Sequence, residues 1–156
     1  MIIYLMRHGH AELQITTDEQ RRLTPKGVAE TKALLVRRSN EISAVRAILA
    51  SPLVRAHQTA QIAQQHCANI SIDTSALLVP EADPYLIIEW LNSNYSALRE
   101  PLLLVSHQPF VGRLLGLVCG KPEGFYPMGT SSLASIEMDE VAVGLGDLRW
   151  IEHVDG

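Results

Sequence analysis

Ile2, Ile3, Tyr4, Leu5 and Met6 form an apolar run without alternation, and no other feature of the chain constrains its fold more. A strand wet on one face alternates apolar with polar residues. An unbroken run is covered on both faces, as in the middle of a parallel sheet with helices on either side. Leu102 to Val105 repeats the pattern, and Ala47 to Ala50 is a shorter version. Arg7-His8-Gly9 follows the first run at once, and Ser106-His107-Gln108-Pro109 leaves the second. Arg7 and His8 would point to opposite sides of an extended chain, so both can face one ligand only if the backbone turns. Gly9 permits that turn, since it tolerates positive φ and has no Cβ to obstruct an approaching anion.

Helical signals separate these runs. Thr24-Pro25 offers a cap followed by proline at the first helical position, with Val28, Thr31 and Leu35 on one face, which predicts a helix from about 25 to 39. Ser51-Pro52 repeats the signal before Leu53, Ala56, Ala60 and Ala63, so Arg55 falls in the first turn of a helix, where main-chain amides favour anions. Ile70 to Ile72 reads as a weak strand, Asp83-Pro84 caps a helix carrying Leu86, Ile87, Trp90 and Leu91, and Val111 to Val118 has the amphipathic period. Ala134, Ile136 and Met138, then Leu148 and Trp150, alternate with polar residues and predict two half-buried strands joined near Gly144 to Asp147. The order predicts one α/β domain over residues 1–156, with a mainly parallel sheet and helices on both faces. Arg7, His8, Arg55, Glu81 and His107 all follow predicted strands, so one sheet edge can gather them.

Composition narrows the function. The 156 residues are 47% hydrophobic and 19% charged, ordinary for a globular protein, and no stretch has the apolar length to span a bilayer. The N-terminal apolar run is too short for a signal peptide, so a cytoplasmic location is expected. Cys67 and Cys119 lack metal-ligand spacing and are expected to be free thiols. A net charge of -4 without a Lys/Arg block argues against nucleic acid or a membrane surface as partner.

Two arginines and two histidines in one pocket suit a compact, multiply charged anion, and phosphoryl fits best, because the planar guanidinium fork matches phosphate oxygens. A neutral imidazole can be the nucleophile. His8 would attack phosphorus through one nitrogen while a backbone carbonyl holds the other. Arg7, Arg55 and His107 would hold the equatorial oxygens, with His107 cationic. Glu81 is the candidate proton donor, a role worth about 10² to 10⁴ in rate. Arg21, in the polar 11–22 loop, can reach the phosphate from the mouth of the site. A neutral His8 and a charged His107 together predict a bell-shaped pH profile. The cationic side chains supply the charge and no metal-ligand spacing appears, so no metal or other cofactor is expected.

Four motifs, Leu5-Met6-Arg7-His8-Gly9, Leu23-Thr24-x-x-Gly27, Ser51-Pro52-x-x-Arg55-Ala56-x-Gln58-Thr59-Ala60 and Val105-Ser106-His107, resemble in order those of the histidine phosphatase superfamily, also called phosphoglycerate mutase-like. The short chain, Pro80-Glu81 and the Thr130 to Ser135 segment are most similar to its SixA-type phosphohistidine phosphatases. The resemblance implies a three-layer α/β/α sandwich with a mostly parallel sheet of about six strands, one of them antiparallel. It also implies His8 as nucleophile, Arg7, Arg55 and His107 as the phosphate pocket, and Glu81 in the approximate place of the proton donor, while Gly9 is expected to bind substrate through its exposed main chain. His10 and Gln108 depart from the family pattern and border the pocket.

The implied activity is metal-independent removal of the phosphoryl group from a phosphorylated histidine-containing phosphotransfer protein, and a monomer is expected. With no long insertion between Thr59 and Glu81, an open groove is expected, able to admit phosphohistidine on a helical domain. The alternatives are a small-molecule phosphomonoesterase or mutase, which would rely on Glu81, and a non-catalytic phosphoprotein-binding module, which would not need both histidines.

Overall fold

The apolar runs become the interior of one six-stranded sheet. The computed structural model describes residues 1–14, 17–94 and 100–155, so Ile15 and Thr16 of the predicted mouth loop lie outside the described residues. The strands are β1 (Ile2–Arg7), β2 (Ala47–Ala50), β3 (Ile72–Thr74), β4 (Leu102–Ser106), β5 (Leu133–Glu137) and β6 (Asp147–Glu152), ordered β3-β2-β4-β1-β5-β6. β1, β2, β3 and β4 are mutually parallel; β5 runs antiparallel to both β1 and β6 and is the single reversed strand. Leu5 lies opposite Leu104 on one side and Ala134 on the other.

Because side chains alternate across a strand, the unbroken runs feed two cores. Ile3, Leu5, Leu49, Leu102 and Leu104 pack with α4 (Pro84–Asn94) and α5 (Phe110–Cys119) on one face. Tyr4, Met6, Ile48, Ala50, Leu103 and Val105 pack with α1 (Pro25–Arg37), α2 (Ser39–Ser43) and α3 (Val54–Gln64) on the other. Each buried Leu, Ile or Met contributes about 1.5–3 kcal/mol of transfer free energy. This is the mostly parallel α/β/α sandwich that the motif order implies, with the strand ends of β1, β2 and β4 side by side.

The local signals fare unevenly. Thr24 Oγ1 accepts from Gly27 N at 3.0 Å and Pro25 opens α1, as the cap-and-proline pair predicts. The helix stops at Arg37, because Arg38 leaves helical geometry at φ -114° and ψ 28° before the separate α2 turn. Ser51 is not a helix cap: α3 starts at Val54, and the Ser51 hydroxyl accepts from Leu53 N at 3.3 Å. β3 runs two residues later than Ile70 to Ile72, since the Ile70 carbonyl is taken by Gln64 Nε2 at 2.8 Å. β5 is buried on both faces along Leu133 to Ile136 rather than half-buried, because Ala134 and Ile136 enter one core and Leu133 the other. Only β6, on the sheet edge, keeps the exposed alternation at its start. Cys67 and Cys119 are free, and among the described residues no helix is long and apolar enough to cross a membrane.

Candidate active site

β1 and β4 end side by side, with Arg7 opposite Ser106, so His8 and His107 leave the sheet as neighbours. Their rings lie 5.0 Å apart. His8 N donates to Ser106 O at 2.9 Å, and His8 O accepts from Ser131 N at 3.0 Å, which anchors the turn after β1 to both adjacent strands. Ser131 adopts φ 62° to make that bond, a conformation uncommon for a residue with a Cβ. Its Oγ meets Thr31 Oγ1 at 2.8 Å. Gly9 does not use positive φ. Its requirement is space: an added Cβ would lie 2.7 Å from Thr31 Oγ1 and 3.1 Å from Gly27 O. Gly9 N donates to Thr59 Oγ1 at 3.1 Å, and Thr59 in turn donates to Arg55 O at 2.8 Å, so α3 holds the turn directly.

The histidine tautomers follow from their partners. His8 Nδ1 lies 2.7 Å from Gly9 O, and a carbonyl only accepts, so Nδ1 carries the proton. Nε2 therefore presents its lone pair, and Arg55 Nε donates to it at 3.3 Å. His107 Nε2 lies 2.7 Å from Ser51 Oγ. The Ser51 hydroxyl accepts from Leu53 N and can also donate its own proton to His107 Nε2, the tautomer that places the His107 proton on Nδ1. That Nδ1 is buried without a hydrogen-bond partner, and so is Arg7 Nε. Two buried donors beside an imidazole lone pair are arranged for an anion, because an unmet buried polar group costs about 1–3 kcal/mol.

Burial is deep: His8 is 7% exposed, Arg55 3% and His107 1%. It depresses both imidazoles, with smaller contributions from neighbouring cations. His8 falls to about 4, lowered by burial against the opposing Gly9 hydrogen bond and further by Arg55, Arg7 and Arg21. His107 falls to about 3, lowered by burial, His8, Arg55 and Arg7 against the opposing effect of Asp18. The expected cationic His107 is thus corrected for the unliganded protein. At neutral pH the pocket holds two neutral imidazoles, and His107 offers a donor through its tautomer rather than through charge.

The remaining predicted residues separate. Arg7 Nη1 donates to Met128 O at 3.2 Å, a carbonyl it shares with Gln108 Nε2 at 3.1 Å. Gln108 also accepts from Gly112 N at 3.0 Å in the first turn of α5, so it ties the Met128 carbonyl to that helix. His10 is exposed and bonded to Thr24 Oγ1 at 2.8 Å. Arg21 is held by Asp18 Oδ1 at 3.0 Å and by Glu12 O at 2.7 Å. Glu81 is not drawn inward: its side chain is 79% exposed, with Arg113 Nη1 3.8 Å away. Sequence reasoning assigned no role at the site to Ser51, Thr59 and Asp18. The first two stand inside the third motif, whose spacing from Arg55 was the available signal; Asp18 had none, because its importance lies in a contact across 37 residues.

The model of the histidine phosphatase superfamily (branch 1) matches residues 3–79. Phosphohistidine phosphatase SixA of Escherichia coli strain K12 is 31% identical over 153 residues, covering 96% of this chain and 92% of that protein. The phosphohistidine phosphatase SixA homolog of Haemophilus influenzae strain Rd is 30% identical over 149 residues, with 85% and 87% covered. The solved structure of the protein histidine phosphatase SixA complexed with tungstate aligns with a TM-score of 0.88 at 28% identity, over 99% of this chain and 98% of that one.

Proposed function

The chain belongs to the histidine phosphatase superfamily, and from that membership we propose that it is a phosphohistidine phosphatase acting on phosphorylated histidine-containing phosphotransfer proteins in the cytoplasm. The observation that carries the reading is the His8 Nε2 lone pair beside Arg55, with the unpartnered Arg7 Nε and His107 Nδ1. The tungstate carried by the related SixA structure, a tetrahedral oxyanion, suits the same donor set.

In the first step His8 Nε2 forms a bond to phosphorus as the P–N bond to the substrate imidazole breaks, and the departing imidazole takes up a proton from solvent, which the attacking water returns in the second step. Arg7, Arg55 and His107 hold the three equatorial oxygens as charge spreads over them. Water then attacks phosphorus, the P–Nε2 bond breaks, and inorganic phosphate leaves. Gly9 O keeps the His8 Nδ1 proton in place throughout, so the attacking nitrogen is always the same one. Glu81 stays the candidate acid for an alcohol leaving group, and its exposed carboxylate suits a substrate whose leaving imidazole makes little demand for one. The connection that leaves β3 on the site's edge of the sheet, from Thr74 to Pro84, holds only a short 3-10 turn, which favours a phosphohistidine displayed on a protein surface.

The direct test is phosphate release from a phosphohistidine-bearing phosphotransfer domain, beside para-nitrophenyl phosphate and a sugar phosphate, without added metal. Fast release from the protein substrate is expected. Preference for the small esters would move the assignment to a phosphomonoesterase.

The same roles set the pH dependence. A depressed imidazole is neutral above its pKa, so His8 can attack at any pH above about 4, and His107 donates through Nδ1 without an added proton. The value of kcat/KM should fall only as pH drops toward 4, with no enzyme-derived limb between 5 and 9 for a substrate that does not titrate there. An alkaline limb near the ordinary histidine value would restore the charged His107 and the bell.

A further inference from the structure

The short 3-10 turn Asp18–Gln20 brings to the pocket a carboxylate that phosphoryl transfer does not require. Asp18 Oδ2 accepts from Arg55 Nη2 at 3.1 Å, and Asp18 O accepts from Arg55 Nη1 at 2.7 Å. Its other carboxylate oxygen, Oδ1, accepts from Arg21 Nη1 at 3.0 Å. The third nitrogen of Arg55 is the Nε that donates to His8 Nε2. Arg55 is therefore held at both ends, by Asp18 and by the nucleophile. While that Nε–H engages the lone pair, His8 cannot attack. Asp18 also offsets part of the charge of two arginines at the place where an oxyanion must collect it.

We propose that Asp18 is a positioning residue that holds Arg55 and Arg21 in the resting site and competes with incoming phosphoryl oxygens for both. The proposal rests on the phosphoryl-binding reading of the pocket. Substrate binding then exchanges one anion for another: phosphoryl oxygens take the guanidinium donors, Arg55 Nε leaves His8 Nε2, and the lone pair is exposed only when phosphorus is present to receive it. Asp18 fits this use. Burial opposes its ionisation, but hydrogen bonds from Arg21 and Arg55 prevail and keep it below the usual carboxylate range, so it stays an anion and not a proton donor. Its side chain is 37% exposed, so its influence on a bound anion is moderated by solvent and sensitive to salt.

Asp18→Asn separates charge from shape, because the amide oxygen can still accept from Arg55. The measurement is calorimetric titration of wild type and variant with inorganic phosphate, then with tungstate, at low and high salt. Removing a like charge from the immediate neighbourhood of a bound dianion is worth about tenfold in affinity at a near-aqueous dielectric. Asp18→Asn should therefore bind both anions about tenfold more tightly, with a smaller gain at high salt and a lower KM. Asp18→Ala should also bind more tightly. A carboxylate that merely ordered the loop would give the opposite sign, weaker binding in both variants and weakest in Ala. Unchanged or weaker binding by Asp18→Asn, or no binding by either protein, overturns the proposal. Arg55→Ala keeps the two readings apart: wild-type binding that is lost in Arg55→Ala but indifferent to Asp18→Asn removes Asp18 alone, whereas binding indifferent to both removes the phosphoryl pocket as well.

Discussion

His8→Asn should lower phosphate release by about 10⁴-fold or more, the scale of loss when a covalent nucleophile is removed from an enzyme. The expectation follows from one atom. His8 Nε2 presents its lone pair beside Arg55, with its Nδ1 proton held by Gly9 O, whereas His107 Nε2 is paired with Ser51. Asparagine is smaller and polar, and its amide can still bond near Gly9 O. The fold should persist, and oxyanion affinity should stay within about a factor of ten, because Arg7, Arg55 and His107 remain. Single-turnover release, together with intact-protein mass after an alkaline quench, tests both steps. Wild type should carry a phosphoryl adduct in the first turnover and the variant none. An adduct in His8→Asn, or activity within tenfold of wild type, would place the nucleophile elsewhere.

Gly27→Ala should be the most disruptive single methyl group near the site, although residue 27 touches no substrate in the proposed reaction. Its Cβ would lie 2.1 Å from His10 O and 3.0 Å from both His10 C and His10 N. These are backbone atoms of the segment leaving Gly9, which Thr24 N also binds through His10 O at 3.0 Å. Relief of the clash must push α1 away from that segment and pull on Gly9 and His8. Overpacking of this kind costs about 3 kcal/mol or more, or roughly 6–12 °C in melting temperature for a chain of this size. Activity should fall further than the unfolded fraction explains. Gly129→Ala is the control, because its nearest atom is Ser132 Oγ at 3.7 Å. Equal melting temperatures for Gly27→Ala and Gly129→Ala would show that α1 can shift freely.

Gly27 also shows how far the chain could be read unaided. Its motif was visible, and so was the Thr24 cap, because capping is a matter of a few consecutive residues. The reason for glycine was not, since the atom it avoids belongs to a loop 17 residues earlier. Ser51 is the converse case. Read locally as a helix cap, it instead turns inward to bond His107 Nε2 across 56 residues. The charge of His107 was misjudged for the same reason: cationic assistance follows from residue type, whereas burial at 1% exposure is a property of the packed sheet and helices.

What the sequence by itself determined is the layer structure and the meeting of Arg7, His8, Arg55 and His107. Short unbroken apolar runs bounded by turn signals suit interior strands, and residues leaving such strands in a parallel sheet emerge on one edge. What only the tertiary structure decided is the state of those residues. The neutral histidines, the proton on His8 Nδ1, the Met128 carbonyl shared by Arg7 and Gln108, the retreat of Glu81 to solvent and the hold of Asp18 on Arg55 and Arg21 all depend on desolvation and on contacts that only packing creates. Periodicity reports which face a residue occupies. Tautomer, charge and partner are set by the atoms that come to surround it, and those are chosen when the elements pack.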